Sequence, residues 1–362
     1  MMKIGIVTPY DLTNYGNRLQ NYALYYVLKT KFHCEAKTLV PYEMKPYDDR
    51  NYIAWLKKQI IRKACIFPEF AEKRFGTTIT RWAAFLNWDR KIPTNVYYQH
   101  KKLPVNIKGE FDYFFCGSDQ VWNPTPDYIN DLYLLKNIKS HEKYAIAASF
   151  GISELPFQMC ESIKKELLKF KKISTREKTG VEIINQITSR TVIELLIDPT
   201  LAIRAEQWIK LERKPCNYTS QKYILNYFLG EMSKERKEKI ERLAKENNYK
   251  IINLLDNNDD YYISGPQEFL FLERHAELIC TDSYHSCVFA IIFHRPFVVF
   301  DRDQNITSMS SRIENLLEIF ELKNRKFNKD FLDDVFVADY INADTILEKE
   351  RKKMYRYISE CL

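Results

Sequence analysis

The sequence predicts an α/β protein made of two successive doubly wound, Rossmann-like domains with a cleft between them. Three observations carry this. The buried-strand run KIGIVTP (residues 3–9) passes through a polar loop into a helix, the usual opening of such a domain. Apolar runs of strand length then alternate with helical stretches along most of the chain. The alternation restarts after DPTLAI (198–203), which divides the chain into residues 1–205 and 206–362.

The first helix carries Leu19, Tyr22, Ala23 and Tyr26 on one face. Residues 41–110 change character: NYIAWLKKQIIRKACIF and KRFGTTITRWAAFLNW are aromatic, basic and helical in period, and read as a helical insertion at about 41–100. Strands follow at FDYFFC (111–116), KYAIAAS (143–149), KKISTRE (171–177) and VIELLID (192–198), with a helical stretch around 157–170. The second series runs through the strand KYILNYFL (222–229), a charged helix (233–247) and the strand KIINLLD (250–256). Ser264 and Gln267, with Pro266 between, mark a capped start for a helix ending at His275. ELICTD, a helix from Ser283 to about His294, PFVVFD and SRIENLLEIFEL complete about five units, and the last twenty residues form an amphipathic terminal helix.

Composition narrows the class. An apolar fraction of 45% and a charged fraction of 28% are globular values over 362 residues. The net charge of +7 suits an anionic substrate or a membrane surface, but Lys and Glu are too interspersed to suggest nucleic acid. Eight cysteines lack CxxC spacing and six histidines are scattered, so reduced thiols and no metal site are expected. MMKIGIVTPY is too quickly polar for a signal peptide, and no run approaches the ~20 apolar residues of a membrane span. These features predict a soluble, cytoplasmic protein.

In open α/β sheets, ligands sit beyond the carboxyl ends of the strands, where loop amides and helix N-termini converge. Five polar clusters fall there. Asn14, Gly16, Asn17 and Gln20 follow the first strand; Gly117, Ser118 and Asp119 follow FDYFFC; Ser174, Arg176 and Glu177 end KKISTRE. Asp282, Ser283, His285 and Ser286 follow ELIC, and Asp301, Arg302 and Asp303 follow PFVVF, with Arg312 opening the next helix. Each has a plainer reading. Asn14–Gly16 can be a simple turn, Asp119 a helix cap, Arg176 a partner for Glu177, and Ser283 a cap that leaves His285 idle.

Together the clusters suit a narrow chemistry. His285 can exchange a proton near neutrality, with Asp282 close enough in sequence to orient it. Arg176 and Arg312 offer bidentate forks for carboxylate or phosphate. There is no Walker loop and no GxGxxG after the first strand. The combination points to group transfer from an anionic donor.

The same residues resemble the polysaccharide pyruvyl transferases. The resemblance runs through IGIVTPYDLTNYGNRLQNYAL, FDYFFCGSDQVWNP, YAIAASFG, ISTRE, IDPTL, the stretch from SGPQEFLFLERHA through ICTDSYHS to PFVVF, and SSRIENLL, in the family's order. It implies a GT-B-like fold and transfer of pyruvate from phosphoenolpyruvate onto a sugar of a bacterial surface or capsular polysaccharide, forming a pyruvyl ketal. His285 matches the histidine expected to act as general acid or base, Arg176 the arginine expected to hold donor anion, and Asp119 the GSD turn. Many members have arginine two residues before the histidine; here Ser283 stands there, so that anion contact is either missing or supplied by another residue such as Arg302 or Arg312.

The expected catalytic group is therefore His285, Asp119 and Asp282. The donor set is Arg176, Arg312, Arg302, Ser283 and Ser286, and the cleft is lined by Asn14, Gly16, Asn17, Gln20, Gly117 and Ser118. The implied partners are phosphoenolpyruvate, as donor substrate rather than cofactor, and a saccharide acceptor. A lipid-linked acceptor and peripheral contact with the inner face of the plasma membrane would fit the basic insertion. The alternatives are a nucleotide-sugar glycosyltransferase on the same scaffold and a non-catalytic glycan-binding member.

Overall fold

The computed structural model describes residues 1–10, 13–41, 77–97, 107, 109–124, 129, 131–136, 138–139, 142–302, 310–327 and 335–362. Its frame is two parallel sheets. The first holds β1 (Lys3–Val7), β2 (Glu35–Pro41), β3 (Thr94–Tyr97), β4 (Tyr113–Cys116), β5 (Lys143–Ala148), β6 (Lys172–Thr175) and β7 (Glu194–Leu195), in the order β3-β2-β1-β4-β5-β6-β7. The second holds β8 (Tyr223–Tyr227), β9 (Lys250–Asn253), β10 (Leu278–Thr281) and β11 (Phe297–Val299), in the order β11-β10-β8-β9.

Strands β5, β8 and β10 are buried along their whole length. Helices on both faces explain why such strands read as continuous apolar runs. The helices are α1 (Tyr15–Lys31), α2 (Thr77–Asp89), α3 (Phe157–Leu167), α4 (Lys178–Thr188), α5 (Pro199–Ala202), α6 (Ala205–Ile209), α7 (Lys234–Glu246), α8 (Pro266–His275), α9 (Tyr284–Ile292), α10 (Ser310–Ile319) and α11 (Ala343–Cys361).

The strand order reverses between β1 and β4 in the first sheet and between β8 and β10 in the second. These switch points are where open α/β sheets bind ligands. Helix α1 lies between the two halves. Its Tyr15 ring stacks on Phe269 of α8 at 4.5 Å, and its Tyr22 ring meets Trp208 of α6 at 5.9 Å. One apolar cluster runs continuously from Ile4 and Leu19 to Leu225, Phe269 and Val288, so the halves share a core.

The terminal helix returns to the first sheet. Tyr357 Oη donates to Ala145 O at 2.8 Å, and Arg351 donates to Leu201 O and Ile203 O at 2.9 and 3.2 Å.

Four local expectations change. Strand β3 and helix α2 both lie within the segment read as a helical insertion, and β3 pairs with β2, so 77–97 contributes a helix and a strand to the sheet layer. TNVY is short and half polar and gives no apolar run; the segment NYIAWLKKQIIRKACIF lies outside the described residues. Helix α4 follows KKISTRE directly. The second sheet has four strands among the described residues instead of about five units. Finally, α8 is capped one residue later than read, with Gly265 N donating to Glu268 Oε2 at 3.0 Å.

Candidate active site

The loops at the two switch points meet. On the first sheet, α1 begins where Asn14 Oδ1 accepts from Asn17 N at 3.1 Å. Asn14 is thus a helix cap. One residue into the helix, Gly16 faces the His285 ring so closely that a Cβ there would sit 2.0 Å from Nδ1. Close approach, not backbone conformation, demands glycine. Asn17 Nδ2 reaches Asp119 Oδ2 at 3.3 Å. Gln20 turns away from the cleft, donating to Thr8 Oγ1 at 2.6 Å, and anchors the end of β1.

After β4 the chain bends sharply, with φ of +115° at Gly117 and +69° at Asp119. A Cβ on Gly117 would lie 2.2 Å from Ile146 O, so glycine also lets the turn press on β5. Ser118 Oγ is buried and lies 2.9 Å from both Ala147 O and Asp198 Oδ2. Asp119 adopts a left-handed conformation unusual for a residue with a side chain. It presents its carboxylate to Arg176.

Arg176 is buried, with both terminal nitrogens engaged. Nη1 donates to Asp198 Oδ2 and Nη2 to Asp119 Oδ1, each at 2.9 Å, while the guanidinium lies 4.5 Å over the Tyr284 ring. The side chain expected to hold donor anion therefore meets three protein carboxylates, the third being Glu177, whose Oε2 lies 3.9 Å from Nε.

Asp198 is the residue the sequence reading passed over. It sits in IDPTL between β7 and α5, wholly buried, and accepts from Thr200 N at 3.0 Å and Thr200 Oγ1 at 2.7 Å through Oδ1. Oδ2 faces Arg176, Ser118 and His285, whose Nε2 lies 3.6 Å away. The signal was present: an acid ending a strand, in a motif already quoted for the resemblance.

His285 projects from the first turn of α9 and is 7% exposed. Tyr284 stands edge-on to it, with ring centroids 5.3 Å apart. Asp282 does not orient it. Its oxygens accept from Leu229 N at 2.7 Å, Gly230 N at 2.9 Å and Arg302 Nε at 2.9 Å, pinning the loop after β8. Ser286 also leaves the expected set, because it donates to buried Glu273 of α8 at 2.6 Å. One residue along a helix is a turn of roughly 100°, which sends Ser286 into the core while His285 faces the cleft. Ser283 is the N-cap of α9, buried, without a side-chain cap bond.

Arg312, in the first turn of α10, completes the cluster. With its amide oxygen turned toward it, Gln120 accepts from Nη1 and Nη2 at 2.6 and 2.5 Å. Among the described residues no carboxylate lies within 4.0 Å of this guanidinium, although Asp119 and Glu177 are near enough to act on it electrostatically. Burial, then Arg176 and Arg302, draw its pKa down to about 10. Burial pushes the Asp198 carboxyl up, but His285, Arg176 and the Thr200 amide together bring it well below the carboxylate range. Asp119 is lowered against burial by Arg176, His285 and Arg312. Glu177 is raised by burial, only partly offset by the two arginines. The cluster thus holds two firmly ionised acids, an imidazole at ion-pair distance from one of them, and a buried cation with no carboxylate within 4.0 Å among the described residues.

The sequence profile described as polysaccharide pyruvyl transferase matches residues 14–304, which include every one of these side chains except Arg312. The chain belongs to the polysaccharide pyruvyl transferase family. No curated protein matches it.

Among solved structures, the family member is similar to a Listeria monocytogenes protein assigned as a UDP-N-acetylglucosamine 2-epimerase. The two share 12% identity over 98% of this chain and 90% of that one, with a TM-score of 0.50. A UDP-GlcNAc 2-epimerase from Neisseria meningitidis, solved with UDP-GlcNAc, shares 11% identity over 98% of this chain and all of that one, with a TM-score of 0.42. The first likeness establishes the GT-B fold and nothing about substrate. Membership makes this pyruvyl transferase relative a transferase with a saccharide acceptor. Among its described residues no group of three His, Cys, Asp or Glu is placed to hold a metal, and no helix is long and apolar enough to cross a membrane.

Proposed function

We propose that this protein moves pyruvate from phosphoenolpyruvate onto two hydroxyls of one sugar in a bacterial surface or capsular polysaccharide, or its lipid-linked precursor, leaving a pyruvyl ketal. The observation that carries this is Arg312, a buried guanidinium facing no carboxylate within ion-pair distance among the described residues, beside an imidazole–carboxylate pair. Burying a charge unpaired is costly, and a bound anion offsets that cost. Phosphoenolpyruvate brings both a phosphate and a carboxylate. Arg302, close enough to depress Arg312, is the second cation at this edge.

In the reaction, a proton added to the donor methylene leaves C2 electrophilic, and a sugar hydroxyl attacks it, giving up its proton. The C2–O bond to phosphate then breaks, the second hydroxyl attacks C2, and its proton leaves on phosphate or a base. The net change is donor plus diol to ketal plus inorganic phosphate. His285 moves the protons, and general acid–base help of this kind contributes roughly 100- to 10,000-fold. Asp198 faces Nε2 of His285 and orients the ring, and Arg176 keeps Asp198 and Asp119 ionised and in place. Arg312, with Arg302, holds the donor anions where preorganised charge stabilises the transition state.

The donor is a cytoplasmic metabolite, which places the reaction at the inner face of the plasma membrane if the acceptor is lipid-linked. Incubation with phosphoenolpyruvate and a panel of lipid-linked and aryl hexosides tests the proposal, reading phosphate release and a mass gain on one hexoside. Nucleotide release from a nucleotide sugar, with phosphoenolpyruvate untouched, would instead make it a glycosyltransferase.

A further inference from the structure

Tyr284 opens α9 and stands inside the charge cluster. The Arg176 guanidinium lies 4.5 Å over its ring, and His285 meets that ring edge-on at 5.3 Å. The residue is 6% exposed. Among the described residues its hydroxyl makes no hydrogen bond. Nor is it one of the enclosed polar atoms left unpaired, so the open part of the residue includes Oη. A tyrosine this deeply buried normally finds a protein partner for its O–H. We infer that the Tyr284 hydroxyl is a further donor-binding group, giving its hydrogen to an anionic oxygen, phosphate or carboxylate, of the donor. The inference rests on the proposed transfer from an anionic donor.

Charge decides the class of ligand. A tyrosine hydroxyl can donate or accept. Burial first, then Asp198, push this phenol well above its ordinary value of 10.0, and Arg176 and Arg312 only partly offset them. It therefore keeps its proton and can donate. Arg176 already answers Asp119 and Asp198, whereas Arg312 has no carboxylate at ion-pair distance among the described residues. An anion drawn to Arg312 thus comes to a neutral O–H close enough to feel the same guanidinium. The helix end favours the same charge. Ser283 gives α9 no side-chain cap, and the first amides of a helix, left without partners, attract anions. The contacts with Arg176 and His285 hold the ring, so the hydroxyl is in place before a ligand arrives.

The test compares wild type with Tyr284→Phe, which removes one oxygen and keeps the ring. The full chain is titrated calorimetrically with phosphoenolpyruvate, inorganic phosphate and pyruvate. Wild type should bind phosphoenolpyruvate and at least one simpler anion, and the simpler anion that the variant loses identifies the oxygen contacted. The variant should bind phosphoenolpyruvate roughly tenfold or more weakly, the loss expected of a hydrogen bond to a charged group. Its Tm without ligand should stay close to that of wild type, because the hydroxyl serves no protein partner, and its affinity for an aryl hexoside should not move. Unchanged affinity for all three anions, loss of hexoside affinity instead, or a variant that no longer folds would overturn the assignment. The last result would show that the hydroxyl is spent inside the protein.

Binding needs no turnover, so the two readings separate. If wild type binds phosphate and the variant does not, while phosphoenolpyruvate is neither bound nor consumed, the donor changes and Tyr284 stays an anion ligand. If wild type consumes phosphoenolpyruvate and the variant binds every anion equally well, only the role of Tyr284 falls. Wild type that binds none of the three removes both.

Discussion

Arg176 donates from Nη1 to Asp198 and from Nη2 to Asp119, at 2.9 Å in both cases, with its own side chain fully buried. One guanidinium thus ties the carboxylate that faces His285 to the turn after β4. Removing one partner of such a group leaves buried charge uncompensated, at a typical cost of 3–5 kcal/mol. Arg176→Ala is expected to lower stability by about that much in urea unfolding, and Asp119→Asn in the same chain should restore part of it. A variant as stable as wild type would show that the pairs are not what holds this layer.

His285→Ala removes a ring that is nearly enclosed but bonds to nothing through Nε2. Stability should change little, while turnover with phosphoenolpyruvate falls roughly 100- to 10,000-fold. Phosphate release close to the wild-type rate would end the assignment of proton transfer to this residue.

Gly16→Ala separates geometry from folding. Alanine inside a helix is favoured over glycine by roughly 0.5–1 kcal/mol, but here its Cβ would lie 2.0 Å from His285 Nδ1. The imidazole must move. Turnover should fall toward the His285→Ala level with Tm within a few degrees of wild type, as circular dichroism melting and initial rates would show.

Arg312→Met replaces a buried cation with an apolar side chain of similar length. The gain from removing a buried charge is offset by loss of its field on Asp119 and Glu177 and of the Gln120 contact, so Tm should change by only a few degrees. The Michaelis constant for phosphoenolpyruvate should increase at least tenfold or so, as expected for loss of a charge-assisted bond, while that for the acceptor stays put. Equal loss toward both substrates would place Arg312 elsewhere in the mechanism.

Acid should act on the same cluster. Asp198 and Asp119 have native carboxyls held below their ordinary value of 3.8, so their pairing contributes fully above that pH and is lost as pH falls below it. Glu177 runs the other way, raised above 4.5, and ionising it costs native stability as pH climbs past that value. Urea midpoints measured across this range should decline less steeply toward acid in Asp198→Asn than in wild type. In Glu177→Gln the loss on the rising side should disappear.

Much of this was legible in the residues. Apolar runs such as KYAIAA and LICT announce buried parallel strands because both faces are covered, and GSD and TDSYHS follow strands as cleft loops must. The same reading missed TNVY, an edge strand with too little apolar surface to register, and α4, although its Val181, Ile184 and Ile187 recur at helical spacing. Ser286 and Asp282 were drawn to the site by adjacency in sequence. Helical rotation sends one into the core, and two backbone amides with Arg302 claim the other. Asp198 lies 87 residues before His285, and only the folded chain sets the two side by side.

The return of α11 to the first sheet has a consequence for how the lobes can be handled. Tyr357 and Arg351 supply donors to carbonyls of Ala145, Leu201 and Ile203, so residues from both ends of the sequence finish the same lobe. A fragment stopped near 205 would lack its last strut and expose the patch that helix covers. A cut there therefore does not free the first lobe intact, because the far end of the chain supplies part of its cover.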